Sequence, residues 1–182
     1  TTVIIEDIAF PLEQLPSAVV RLKELLNKHN YSDAIIFGHA LEGNLHFVFS
    51  QNFNIESEVQ RYKSLMDDVS NLVVNEFDGS LKAEHGTGRN MAPFVEYEWG
   101  EQAYAIMKEI KNIFDPENIL NPGVILNEDE SIHLKNLKEL PAADEIIDKC
   151  TECGFCESRC VSEGLTLSPR QRISTFREMK RL

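Results

Sequence analysis

The chain has no long apolar run, a deficit of positive charge and, over its first 149 residues, no cysteine. Each lack excludes something. No stretch approaches the roughly 18 to 20 apolar residues that cross a bilayer, and the first residues lack the basic-then-apolar pattern of a secretion signal. A cytoplasmic protein, at most peripheral at the inner face of a membrane, is therefore expected. With 30 Asp and Glu against 18 Lys and Arg, the formal charge is −12, and such a surface repels nucleic acid and anionic lipid alike. No internal repeat or low-complexity tract is present. No glycine-rich nucleotide-binding segment precedes the first apolar stretch, and the later GTGRN is too short and too late to be one. The 182 residues suffice for one domain and an appendage.

What is present reads as alternating short strands and amphipathic helices. TTVIIEDIAF is β-branched and apolar, as a strand should be. Pro16 at a first helical turn, with Leu15, Val19, Leu22 and Leu26 behind it, predicts a helix over about residues 14 to 29. DAIIFGHA and NLHFVFS read as two strands joined tightly around residues 41 to 43. Ile55, Val59, Tyr62, Leu65, Val69 and Leu72 mark a second helix, and SLKAEHG a further short strand. The order βαββαβ defines an α+β, ferredoxin-like unit: four antiparallel strands with helices on one face. Its second strand ends, its third begins and its fourth ends at one edge, so His39, His46 and Glu84 share that edge. Period-two alternation puts Leu45, Phe47 and Phe49 toward the helices and Asn44, His46 and Val48 on the other face.

Ala103, Ile106, Ile110 and Ile113 predict a third amphipathic helix, stopped by DPEN, and NILNPGVILNEDES an extended, turn-rich segment. A charged linker follows over 128–149, with a short helix near its end (142–149). SPRQRISTFREMKRL closes the chain as a helix capped by Ser168 with Pro169 in its first turn. The expected division is thus 1–127, linker 128–149 and a helical cysteine-bearing segment 150–182. Because the chain starts in a strand and ends in a helix, a piece of a longer polypeptide is expected.

All four cysteines, Cys150, Cys153, Cys156 and Cys160, fall in CTECGFCESRC. A disulfide framework would spread them over distant segments. C-x2-C-x2-C-x3-C spacing suits a [4Fe–4S] cluster, whereas structural zinc takes two pairs separated by a longer loop. Val161, not proline, follows Cys160. Cys160 either closes this cluster or serves a second one whose other ligands lie downstream; the second is preferred. Two imidazoles and a carboxylate, His39, His46 and Glu84, suit a divalent metal such as zinc, iron(II) or manganese, with positions left for substrate. His85, at a glycine-rich turn, is free to act as acid or base. His29 and His133 have no comparable neighbours and read as ordinary.

GHALEGNLHF, AEHGTGRN, NPGVILN and CTECGFC, in that order, resemble the C-terminal region of FAD-linked D-lactate dehydrogenases that carry an iron–sulfur tail. That group is related to the glycolate oxidase D subunit and D-2-hydroxyglutarate dehydrogenase within the vanillyl-alcohol oxidase superfamily. The family's G-H-x-G-[DE]-G-N-x-H is matched by Gly38, His39, Glu42, Gly43, Asn44 and His46, with Leu41 where glycine is usual. The resemblance implies metal ligands at His39, His46 and Glu84, a catalytic base at His85, Asn44 near substrate, and Asn121 approaching the flavin; Arg89 and Asn90 are weaker candidates. It implies FAD held by a domain that precedes this region, a small 2-hydroxy acid as substrate (D-lactate before glycolate or D-2-hydroxyglutarate), and a further iron–sulfur domain downstream. The chain alone is then expected to hold no FAD and to turn over no substrate. Two other classes fit less of the chain: a noncatalytic small-molecule sensor with structural histidines, and an electron-transfer module in which only the cysteines matter.

Overall fold

The computed structural model describes residues 2–86 and 88–182; of the expected first strand and the GTGRN turn, Thr1 and Thr87 lie outside the described residues. Strand β1 (Thr2–Ala9) runs antiparallel to β3 (Asn44–Gln51), which also pairs antiparallel with β2 (Ile35–Phe37), giving the order β1-β3-β2. Helix α1 (Leu15–Lys28) buries Leu15, Ala18, Leu22 and Leu26, close to the stripe its spacing dictates. Helix α2 (Glu56–Asn71) buries Tyr62, Leu65, Met66 and Val69 and widens into a π-turn over Leu72–Glu76. Both pack on one face of the sheet, where Ile8, Leu45, Phe47 and Phe49 complete the core.

Register confirms the alternation. Ile4 faces Phe49, Glu6 faces Phe47 and Ile8 faces Leu45 on the helix side; Asp7 and Phe37 face His46 on the other. That outer face also carries Ile5, Val48 and Ile35 in one row across the three strands, with Ile5 and Ile35 half exposed or more.

The expected fourth strand is a correction: SLKAEHG makes one β-bridge, Ser80 to Ala9, and then leaves the ladder. Side chains take the donors a strand would have shared. Glu98 accepts the Leu81 N–H at 3.2 Å and the Ser80 hydroxyl at 2.7 Å, and Ser80 Oγ accepts the Lys82 N–H at 3.2 Å. Asp7 accepts the next three. The sheet is three-stranded, and the segment carrying Glu84 is a loop laid along the free edge of β1.

Helix α3 (Val95–Phe114) begins earlier than its apolar spacing indicates, with a break at Gly100 (φ 78°). Ile106, Ile110 and Ile113 were expected to pack, yet each is more than half exposed, and only Val95 and Tyr104 of α3 are buried. Ile110 borders an open groove instead. DPEN does stop the helix: Asp115 accepts the N–H groups of Ile119 and Leu120 at 2.9 and 2.8 Å. In the linker, a single 3-10 turn (Ile147–Lys149) replaces the short helix expected over 142–149, because Asp148 folds back to accept the Ala143 N–H at 3.0 Å. Helix α4 (Pro169–Arg181) starts with a capping box between Ser168 and Gln171. No helix among the described residues is long and apolar enough to cross a membrane.

Candidate metal and substrate site

The two histidines are set by a tight connection. Between β2 and β3 the chain makes one 3-10 turn (Ala40–Glu42), closed by backbone bonds between His39 and Asn44 at 3.1 and 3.3 Å. Gly43 ends the turn at φ 68°, and a Cβ there would stand 2.2 Å from the Phe10 carbonyl oxygen. Only glycine meets both demands. Leu41, the departure from the family pattern, points into solvent.

Glu84 arrives from the loop beside β1. Its Oε1 lies 3.1 Å from His39 Nε2 and 3.0 Å from His46 Nε2. The three ligand atoms fall within 4.8 Å of one another, the sole such grouping of three or more His, Cys, Asp or Glu found among the described residues. Donors about 2.1 Å from a tetrahedral ion stand roughly 3.4 Å apart, so small side-chain movements would let this set close on a metal. His39 and Glu84 are exposed while His46 is buried, leaving one side open. His85 stacks on His46 with ring centroids 4.5 Å apart and planes 12° off parallel, its Nε2 3.8 Å from Glu84 Oε1.

Asp7 is the residue that sequence reasoning missed. It is fully buried on the outer face, opposite His46 in register. Its Oδ2 accepts the N–H groups of Ala83, Glu84 and His85 at 3.2, 2.7 and 2.8 Å, and Oδ1 accepts Asn44 Nδ2 at 2.5 Å. His46 Nδ1 lies 3.5 Å from Oδ1 and has no hydrogen-bond partner. Burial pushes the Asp7 carboxyl up, but the bonds from His85, Glu84, Asn44 and Ala83 outweigh it and hold it below the usual range. The signal was present: an acid in mid-strand within VIIEDIA, on the face that carries His46.

Asn44 is likewise buried, its amide turned onto Asp7 and its Oδ1 unpartnered. Between β1 and the 82–90 loop lies a cleft of about 300 Å³ bordered by Glu6, Asp7, Lys82, His85 and Asn90. Glu6, 3% exposed, accepts a hydrogen bond from Asn90 Nδ2. Burial is the main cause that lifts its carboxyl to about 7, against Lys82 and Asn90, which lower it. Arg89 is exposed.

Asn121 is not part of this cluster. It holds φ 44° and borders a separate groove of about 1020 Å³ between α3 and the 118–128 segment, with Trp99, Met107, Ile110 and Leu120. The four cysteines are free thiols, Cys153 and Cys156 exposed. The Glu152 N–H points at Cys150 Sγ at 3.4 Å, and a Ser162 hydroxyl 3.2 Å from Cys160 Sγ lowers that thiol's pKa. Buried Arg177 of α4 fastens the run: it pairs with Glu152 at 3.0 Å and donates to the Ile147 and Cys150 carbonyls at 3.0 and 3.2 Å.

Residues 1–125, which hold the sheet, both of its helices and the His–His–Glu cluster, match the family of FAD linked oxidases, C-terminal domain. The chain belongs to that family. It is 31% identical over 128 residues to the glycolate oxidase subunit GlcD of Bacillus subtilis, covering 70% of this chain and 27% of the relative. It is 32% identical over 120 residues to a probable mitochondrial D-lactate dehydrogenase of Danio rerio, covering 66% and 24%. A D-2-hydroxyglutarate dehydrogenase of Haemophilus influenzae is 28% identical over 207 aligned positions that cover 98% of this chain, cysteine run included, and 19% of that protein. The chain thus spans about a quarter or less of these relatives' length.

Proposed function

We propose that this chain is the substrate-side portion of a flavin-dependent dehydrogenase of small D-2-hydroxy acids, D-lactate foremost. The carrying observation is the convergence of His39 Nε2, His46 Nε2 and Glu84 Oε1 from two separate connections. In this reading they hold a divalent ion, zinc before manganese or iron, which when bound acidifies a coordinated 2-hydroxyl. His85, stacked on His46 beside that cluster, would take the hydroxyl proton, and a flavin held outside these residues would supply the hydride acceptor. Asn44, buried with its amide on Asp7, acts on substrate through the residues that Asp7 holds. Three of the relatives described above bear names that act on 2-hydroxy acids, which supports the class and leaves the choice of acid to experiment.

The division 1–127, 128–149 and 150–182 assigns separate tasks. The first unit offers the outer face of its sheet, with the Ile5–Val48–Ile35 row beside His46, to the flavin-bearing domain. Asn121 approaches the flavin from the α3 groove. Cys150, Cys153 and Cys156 ligate a [4Fe–4S] cluster that carries electrons onward, and Cys160 serves a second cluster whose other ligands lie downstream. The Glu152 N–H aimed at Cys150 Sγ, and the depressed Cys160 thiol, suit thiolate ligands. Reconstitution with iron and sulfide tests the last assignment: broad absorption near 400 nm that vanishes in Cys150→Ser/Cys153→Ser is expected, and an unchanged spectrum would remove it.

A further inference from the structure

Asp7 meets four residues of the candidate site, Asn44, His46, Glu84 and His85. Three consecutive backbone N–H groups, those of Ala83, Glu84 and His85, converge on its Oδ2, forming the concave donor nest that binds anions. The residues that donate carry exposed side chains, and their backbone is tied to the sheet by this carboxylate, beside the Ser80 bridge, the Asn90–Glu6 bond and the contacts of Glu84 and His85 with His46. On the other oxygen sit Asn44, the first residue of β3, and the Nδ1 edge of His46. One buried carboxylate therefore sets Glu84 and His85 against His46, joining the two connections that the ladder, lacking a fourth strand, leaves unjoined.

We propose that Asp7 is the positioning residue of this site: it holds Glu84 and His85 in register with His46 and orients the His46 ring through Nδ1. The inference rests on the metal reading above. A ligating imidazole whose second nitrogen meets a carboxylate is fixed in tautomer and direction, and loss of such a partner weakens metal binding by about 10- to 100-fold. His46 Nδ1, 3.5 Å from Asp7 Oδ1 and without another partner, would donate to that carboxylate if Nε2 held the ion.

Two measurements test it on the whole chain. The first is zinc affinity by competition with a chromophoric chelator for wild type, Asp7→Asn and His39→Ala/His46→Ala, with thermal midpoints of the metal-free proteins alongside. Binding weakened at least 10-fold in Asp7→Asn while it remains folded supports the role. Wild-type affinity in Asp7→Asn, with binding lost in the double-histidine variant, overturns the role of Asp7 alone and leaves the metal reading standing. No zinc binding by wild type removes both. The second needs no variant: in metal-free wild type the amides of Ala83, Glu84 and His85 should exchange with solvent deuterium at least 100-fold more slowly than that of Gly86. Exchange at the Gly86 rate would show that Asp7 does not hold the loop, and would overturn the proposal even if Asp7→Asn failed to fold.

Discussion

Glu6 and His133 are buried ionisable residues whose protons move stability in opposite directions. Glu6 is buried on β1 with its carboxyl beside Asn90 and Lys82, and burial lifts that carboxyl from 4.5 to about 7. Its folded pKa exceeds its unfolded one, so its contribution is fully present below about pH 4.5 and lost as pH rises through 7. Glu6→Gln keeps the shape and drops the charge; it should gain up to about 3 kcal/mol relative to wild type between pH 5 and pH 8 in urea unfolding. Parallel pH profiles for the two proteins would refute this. His133 lies between Tyr62 and Phe94, 5% exposed, with neither ring nitrogen hydrogen-bonded. Burial depresses its pKa, despite Asp67, whose charge raises it. Stability therefore falls as pH drops below 6.5, where the unfolded chain takes up the proton first. His133→Leu should be more stable than wild type by about 1 kcal/mol at neutral pH, and by more at pH 5; a less stable variant at pH 5 would contradict the account.

At the scale of elements, the β2–β3 connection and the N-terminus of α4 each depend on one residue. Gly43→Ala would place a methyl against the Phe10 carbonyl and keep a left-handed φ; a cost of about 1–3 kcal/mol is expected, together with loss of metal binding as His39 shifts away from His46. Ser168→Ala removes the hydroxyl that accepts the Gln171 N–H and should cost about 1 kcal/mol in α4, read by circular dichroism, without touching the histidines. Both helices of the α/β layer, the three strands and the face on which His46 stands were legible from spacing alone, because burial imposes a period on each. The fourth strand was not: SLKAEHG has strand-like alternation, but Glu98 and Asp7 absorb its donors from positions remote in sequence, and Ser80 takes one locally. The stripe of α3 misled in the same way. Its isoleucines have helical spacing, which shows a face that packs without showing what covers it.

The whole molecule has two regions with different supports. Residues 1–125, matched by the family, are held by a core of sheet and two helices, while the cysteine run is fastened to α4 through buried Arg177 and Glu152. The site residues His39, His46, Glu84 and His85 could be chosen from motifs, since the chemistry of their side chains is explicit in sequence. Arg177 could not, and Asp7 showed only as an acid in mid-strand, since their importance lies in which distant backbone groups they meet. Arg177→Met should loosen the run and make Cys150 react faster with a thiol reagent, leaving zinc affinity unchanged; unchanged thiol reactivity would dismiss its fastening role. The measurement that bears most directly on the central claim is the divalent-metal content of the purified chain by elemental analysis, for wild type and His39→Ala/His46→Ala. The account predicts about one equivalent of zinc, manganese or iron that is lost in the variant and not in Cys150→Ser/Cys153→Ser. A metal content indifferent to the histidines, or following only the cysteines, would contradict it.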